Sequence, residues 1–327
     1  MIIRKTSALV EAGILAAIAV IFSLVGMYVP FLSLFTNILW PLPIILCGRR
    51  CGFKWSLLAL LVAGLIVAAL ISPLHALSEV VVLGIIGLTM GECMRRQFSP
   101  LKILLLGSIA AFISFLLSIA IGYLLMQINV LEVFKQSMEE AFTMTEDIYR
   151  YIGIGAGQME QMQEQTKQML KMIMLILPGA MLMSAPVTVL ANYWAARKVL
   201  SRLGDYYPWF PPFRTWMLPK WVLAPYGVAL ALLFFQKNQQ EGLLYATGFN
   251  IFVVSNVLLI IQAMSLLYWY VKEKNKPKWM FSLGFTLLFV SQLFSQLAVM
   301  AGAYDLIFDF RKLRKRPQPT KEQEGKY

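Results

Sequence analysis

Charge is scarce in this chain. Asp, Glu, Lys and Arg make up 14% of its 327 residues, against roughly a quarter in an ordinary soluble domain. Apolar residues make up 59%, and the mean hydropathy is +0.67. A soluble fold of that composition would expose large apolar patches and aggregate, so a soluble globular domain and a disordered chain are both excluded. Histidine is nearly absent. His75 is the only one, which excludes a histidine-based catalytic triad and a His-rich metal site. Cysteine occurs only at 47, 51 and 93, too sparsely for a disulfide framework. Three thiols without a fourth ligand or a zinc-knuckle spacing carry no metal assignment, and small buried or acylated thiols are the simpler reading. No Walker loop is present, so ATP is not bound by a P-loop. No catalytic residue, cofactor or enzymatic activity is expected.

What remains is apolar run length. A helix needs about 20 apolar residues to cross a bilayer core. Runs near 8–29, 31–48, 53–72, 74–94, 101–127, 169–196, 219–236 and 243–271 qualify. A ninth, 279–302, reads either as a span or as a re-entrant segment. The fold class is therefore all-α: a polytopic transmembrane helical bundle of eight spans plus this ambiguous ninth. The N-terminal run passes the usual signal-peptide length and is read as a retained first helix. The second run carries Pro41 and Pro43, which remove two helix donors and predict irregular backbone. Pro178 and Pro186 predict kinks in the sixth.

The formal net charge of +12 orients a membrane chain rather than pointing to nucleic acid, because Lys and Arg concentrate on the cytoplasmic side. Arg4 and Lys5, then Arg49, Arg50 and Lys54, then Arg95, Arg96 and Lys102, fall on one face when the N-terminus is cytoplasmic. Arg197 to Lys220 and Lys272 to Lys278 fall there too. The opposite face receives the loop 128–168, with three basic and seven acidic residues, net −4. The ninth segment is flanked by basic clusters at both ends, which favours a cytoplasmic C-terminus and a hairpin turning near Gln292–Gln296.

The organisation expected is a six-span membrane domain over 1–200 and an interfacial aromatic and proline loop over 201–218. C-terminal membrane segments follow over 219–312, with a disordered tail over 313–327. Within loop 128–168, Val130–Tyr151 and Gln158–Lys171 read as helices joined by a glycine-rich hinge at 153–157. Methionine is dense around the sixth span, from Met159 to Met183, and reads as gap-filling rather than as a copper path.

Ionisable residues inside spans carry most information, at about 2.5–3.5 kcal/mol each on insertion scales. Glu11 reads as paired with Arg4 or Lys5, and Glu92 as paired with Arg95 and Arg96. His75 and Glu79 lie four apart, on one helical face, after Ser72-Pro73. They read either as a structural pair or as the lip of a pocket that also includes Gln127 and Asn129. Ala8, Ala12 and Ala16 form a small-residue stripe for close helix approach, either internal or offered to a partner. Trp209, Phe210 and Phe213 in the aromatic loop read as interfacial anchors or as a docking surface for a cytoplasmic partner.

Two resemblances follow. The opening stretch Ala8–Ala17, the Tyr28-Val29-Pro30 sequence, the Leu42-Pro43 turn and the ending Gly302–Lys312 resemble the YybS-like family of bacterial polytopic membrane proteins. The first six spans are similar in layout to the substrate-binding S subunits of energy-coupling-factor transporters. That layout implies a ligand pocket at the outer face and an alanine stripe that docks a coupling subunit, for which Ala8, Ala12 and Ala16 are the candidates. The long acidic loop and the segments after 196 depart from a solitary S subunit.

The expected function is a bacterial plasma-membrane subunit that binds a small solute at His75, Glu79, Gln127 and Asn129. Coupling or ATPase subunits would supply the energy. The alternative is a non-transporting scaffold that contacts other membrane proteins in envelope or sporulation processes. The bilayer is a partner in both, and nucleic acid in neither.

Overall fold

The computed structural model describes residues 5–127, 129–151, 156–236 and 242–313. All regular structure among them is helical, and the chain is an all-α polytopic membrane bundle. It divides into two compact units. The first comprises the described residues up to Met174 together with Ala180–Trp209. The second comprises Leu175–Gly179 and the described residues from Phe210 onward.

In the first unit, α1 (Lys5–Tyr28) is rich in alanine and leucine and free of proline. It ends where Pro30 disfavours helix in the preceding residue. The helices α2 (Pro30–Leu39) and α3 (Pro41–Arg50) each open on a proline, whose missing N–H costs nothing at a first turn. The second apolar run is thus two ten-residue helices with Trp40 between them. Helix α3 buries Pro41, Pro43, Ile44, Ile45, Leu46, Cys47 and Gly48. It meets α6 (Ile85–Arg95) backbone to backbone: a Cβ on Gly91 would stand 2.9 Å from the Ile45 carbonyl oxygen.

Helix α4 (Phe53–Leu70) leads to a turn at Ile71–Ser72. The next crossing is composite: α5 (Pro73–Glu79), a π-helical turn (Val80–Gly84) and α6 (Ile85–Arg95). Helix α7 (Pro100–Met126) ends at Gln127, in the left-handed region at φ 52°. Beyond it lie α8 (Val130–Tyr151), which matches the expected bounds, and α9 (Ala156–Arg202). The 47 residues of α9 extend over about 70 Å, more than twice the bilayer core. Of the glycine-rich hinge expected at 153–157, residues 153–155 lie outside the described residues and 156–157 open α9; residues 314–327 of the tail also lie outside.

In the second unit, α10 (Leu223–Phe235) and α11 (Leu243–Glu273) pack side by side, and α11 also packs on α13 (Gln292–Phe308). Asn250 of α11 inserts into the backbone ladder of α9. Its Oδ1 accepts from Gly179 N at 2.7 Å and its Nδ2 donates to Leu175 O at 2.8 Å, replacing an i to i−4 bond beside Pro178.

Among the described residues, six helices are long and apolar enough to cross a membrane: Thr6–Tyr28, Phe53–Leu70, Pro73–Arg95, Pro100–Leu124, Gln161–Arg202 and Leu243–Glu273. The second expected run is two short helices. The seventh, Lys220–Phe235, is a shorter apolar helix that opens with a 3₁₀ turn. The ninth is a bent pair, α12 (Trp279–Val290) and α13 (Gln292–Phe308), turned by 120° at Ser291.

Both ends of this pair lie beside residues 213–216. Phe281, near the start of α12, meets the Phe213 ring at 6.5 Å. Arg311, just past α13, donates to the carbonyls of Arg214 at 2.7 Å and Trp216 at 2.8 Å. The segment therefore leaves and returns at one end of the unit, which is the geometry of a re-entrant hairpin. Lys276→Cys and Lys312→Cys, in a background with Cys47, Cys51 and Cys93 changed to Ala, should react with an impermeant maleimide from the same side of sealed vesicles. Labelling from opposite sides would show a full crossing.

Candidate functional site

The site grows from the turn between α4 and α5. Ser72 is extended, and its Oγ accepts from His75 N at 3.1 Å, capping a helix whose first residue is Pro73. That start puts His75 and Glu79 one above the other, with His75 Nε2 3.2 Å from Glu79 Oε1. The other carboxylate oxygen is held from α1: Ser23 Oγ donates to Glu79 Oε2 at 2.6 Å. Ser23 in turn accepts from Trp40 Nε1 at 2.8 Å. A hydrogen-bonded chain thus runs from Trp40 through Ser23 to Glu79 and His75, drawing together α1, the break between α2 and α3, and α5. Trp40, Ser23 and Glu79 are 1%, 2% and 6% exposed, whereas the His75 side chain is 35% exposed.

The site lies at the end of the unit opposite Arg49, Arg50, Arg95 and Arg96. Glu79 sits six residues past Pro73, about 9 Å along the helix. The π-helical turn begins at the next residue. Turns of this kind insert one residue and recur at functional sites. Here it is seated on α4: a Cβ on Gly64 would stand 2.6 Å from Val80 Cγ2, and one on Gly84 2.6 Å from Leu60 Cδ1.

Gln127 and Asn129 have other roles. Gln127 closes α7. Asn129 heads α8, its carbonyl accepting from the backbone N–H groups of Glu132 and Val133, both at 2.9 Å. Both residues are exposed, and neither belongs to the chain that holds Glu79.

The alanine stripe is spent internally. Ala8, Ala12 and Ala16 are 4%, 3% and 2% exposed, and Ala12 and Ala16 pack in one cluster with Ala59, Leu60, Ala63 and Val67 of α4. The reading of these residues as a partner-docking face is therefore corrected: the chain's own helix occupies the close approach that small residues allow.

Of the aromatic candidates, Trp209 remains 44% exposed, stacked on Tyr193 at 5.8 Å with the Arg197 guanidinium 5.4 Å from its ring centre. Phe210 is 7% exposed and packs on Trp216. Phe213 packs among Trp216, Tyr268 and Phe281. As a docking surface, the loop is reduced to its Trp209 part.

Glu92 pairs with Arg95 at 2.7 Å and Arg96 at 2.6 Å, as expected. Glu11 pairs across the unit with Arg50; Arg4 and the side chain of Lys5 lie outside what the structure describes. Arg49 grips Asp205 through two bonds, at 2.8 and 2.9 Å, and donates to Met94 O at 3.1 Å. Tyr207 donates to Phe98 O at 2.6 Å, and burial pushes its phenol up to about 12. These contacts tie the turn after α9 to the two arginine loops.

Sequence reasoning missed Ser23 and Trp40. The available signal was Trp40 itself, because a tryptophan beside a proline break in an apolar segment needs an acceptor for its indole N–H. It also missed a second buried cluster. Arg311 Nη2 lies 2.8 Å from Asp305 Oδ2, and both side chains are fully buried. Gln262 donates to the same oxygen at 2.5 Å and accepts from Leu218 N at 2.9 Å. Ser265 Oγ lies 2.7 and 2.9 Å from the carbonyls of Phe213 and Trp216. Asp305 Oδ1 and Arg311 Nε have no partner. The cluster satisfies loop carbonyls and holds residues 213–218 in place.

Cys51 lies between α3 and α4, where burial and the Glu11 carboxylate push its thiol up to about 11. It is therefore neutral at physiological pH. With Cys47 and Cys93 changed to Ala, its alkylation rate should rise about tenfold per pH unit between about pH 7 and 9.5 without levelling, since only the thiolate reacts. A plateau below about pH 9 would contradict this environment.

Comparison with known proteins agrees with this architecture. The family model described as "Predicted membrane protein (DUF2232)" matches residues 17–306. The uncharacterized protein YybS of Bacillus subtilis (strain 168) is 24% identical over 308 residues, covering 94% of this chain and 98% of that protein. No solved structure matches. The match across nearly the whole chain places it in the DUF2232 family of predicted membrane proteins, and the similarity to YybS over almost its full length agrees with the YybS-like resemblance.

Proposed function

We propose that this protein is a non-enzymatic, transporter-type subunit of the bacterial plasma membrane, with its N-terminus in the cytoplasm. It takes a small solute at the His75–Glu79 end, facing outward, and relies on coupling or ATPase subunits for energy. The observation that carries this reading is Glu79: a carboxylate 6% exposed in a membrane-crossing helix, with both oxygens engaged by side chains. An intramembrane carboxylate is costly to keep and marks a functional site by default. The arginine loops at the opposite end support the orientation. The six-span layout supports the kinship to S subunits only as analogy, since fold does not fix function.

Native mass spectrometry of protein purified in mild detergent tests it. Wild type should retain a small solute and co-purify with an ATPase or coupling subunit. Glu79→Gln should lose the solute while the protein stays inserted. Recovery of neither solute nor subunit defeats the reading.

A second reading, a membrane scaffold, is favoured by α8. This 22-residue helix exposes Met144, Ile148 and Tyr151 at 67%, 58% and 94%, as an amphipathic helix awaiting a protein contact would. Deleting residues 137–165 separates the two. Loss of a protein complex with the solute still retained favours the scaffold; loss of the solute favours transport.

A further inference from the structure

We propose that the His75–Glu79 pair is a proton-binding site, and that its proton occupancy is transmitted through Ser23 to the junction of α1 with the α2–α3 break. This deepens the transport reading by naming an ion that the same site binds, and it rests on that reading only for its use in transport.

The argument begins with charge balance. Glu79 is buried, and the elements packed around it supply no fixed cation at its depth. Helix α1 carries Lys5 and Glu11, α3 carries Arg49 and Arg50, α4 carries Lys54, α6 carries Glu92 and Arg95, and α7 carries Lys102. All of these lie at the opposite end of their helices. Glu11 is twelve residues from Ser23, and Glu92 is thirteen from Glu79, about 18–20 Å in each case. Across residues 12–48, 55–91 and 103–126, His75 and Glu79 are the only Asp, Glu, Lys, Arg or His. With a neutral imidazole and an ionised carboxyl, the pair leaves one uncompensated negative charge in hydrocarbon, the costly state. One additional proton cancels it: taken up at the imidazole, it comes to rest on the carboxyl. Among the described residues, no other cation bonds to the pair; the basic residues of α8 and α9, Lys135, Lys167 and Lys171, belong to helices beyond the end of α7.

The hydrogen bonds provide for both positions. With the proton on the half-exposed His75 ring, Nε2–H faces Glu79 Oε1 at 3.2 Å, and Ser23 donates to Oε2 at 2.6 Å. With the proton on Glu79 Oε2, the carboxyl donates and Ser23 accepts. The Ser23 hydroxyl hydrogen then needs a new acceptor, and Ala19 O already lies 3.3 Å from Ser23 Oγ. Trp40 Nε1 continues to donate to the serine oxygen at 2.8 Å, which has two lone pairs for the two donors. The Glu79 oxygens, the Ser23 hydroxyl and the Trp40 indole keep partners in both states, and the direction of the Ser23–Glu79 bond reverses. The exchange takes one proton from solvent at the exposed imidazole and hands it to Glu79 Oε1; rotation of the carboxyl group then turns the O–H toward Ser23, and no other atom moves between residues. The π-helical turn starting at Val80 adjoins the group whose charge changes.

The test is pH-difference infrared spectroscopy of the full-length protein in lipid nanodiscs, reading the C=O stretch of a protonated carboxylic acid between about pH 4.5 and 9. Wild type should show a protonated-carboxyl band that titrates in this range and is absent in Glu79→Gln. Ser23→Ala keeps Glu79 and should shift the band to higher frequency by removing its hydrogen-bond partner. This variant also serves if Glu79→Gln fails to fold. A wild-type difference spectrum indistinguishable from that of Glu79→Gln, or a band unmoved in Ser23→Ala, overturns the proposal. Solute retention, measured separately by native mass spectrometry, keeps the two ideas apart. A Glu79-dependent band without a retained solute leaves the proton site standing and removes the transport reading. A retained solute without the band does the reverse.

Discussion

A charged or hydrogen-bonding group placed in hydrocarbon has no water to turn to, so the chain must supply its partner. That constraint organises what is most specific here. Glu79 is reached from α1 by Ser23 and from its own helix by His75, and Ser23 is reached by Trp40. Three elements converge because one carboxylate needs them. The α1–α4 and α3–α6 surfaces are apolar and interchangeable by comparison. Ala12 and Ala16 let α1 lie close to α4, and the glycines at 48 and 91 let α3 lie close to α6, but neither contact would by itself select a register for Ser23 against Glu79.

The second unit meets the same constraint in the backbone. Residues 210–218 contain prolines at 211 and 212 and only a single 3₁₀ turn, Phe213–Thr215, so few of their carbonyls have helical partners. Arg311 and Ser265 serve the carbonyls of Phe213, Arg214 and Trp216, and Gln262 serves the amide of Leu218. The buried Asp305 carboxylate holds Arg311 in position. An ion pair this deep adds little net stability, since desolvation offsets its attraction. What it contributes is definition, fixing the return of the α12–α13 hairpin beside the loop. Gly302 permits that return, because any Cβ there would collide with the Leu259 carbonyl.

Much of this architecture is legible in the sequence, and the rest is hidden for identifiable reasons. Run length and charge scarcity give the membrane class, because hydrocarbon tolerates nothing else. The amphipathic pattern of Val130–Tyr151 gives α8 to its ends. The spacing of four between His75 and Glu79 gives their contact, because helical geometry alone decides it. The partners of local groups are harder to read. Ser23 and Trp40 lie 56 and 39 residues from Glu79, and no periodicity links them. The alanine stripe announces close approach without saying to what, so the chain's own α4 and an outside partner look alike. Glu11 has Lys5 nearby in sequence but Arg50 nearby in space. Asp305 and Arg311 meet across a left-handed turn at Asp309, φ 48°, which a six-residue spacing does not suggest. The π-helical turn leaves no mark in residue pattern either, since it adds one residue to an otherwise helical run.

The account depends most on Ser23 and Glu79 being bonded to one another across α1 and α5. A double-mutant cycle measures that bond directly: Ser23→Ala, Glu79→Gln and the pair, each compared with wild type by reversible unfolding in a fixed detergent–lipid mixture. A hydrogen bond to a buried carboxylate predicts a coupling energy of about 1–2 kcal/mol, with the double variant less damaged than the two single effects together. Additive effects would mean that the two residues do not meet, and the arrangement of α1, Trp40 and α5 described here would be wrong.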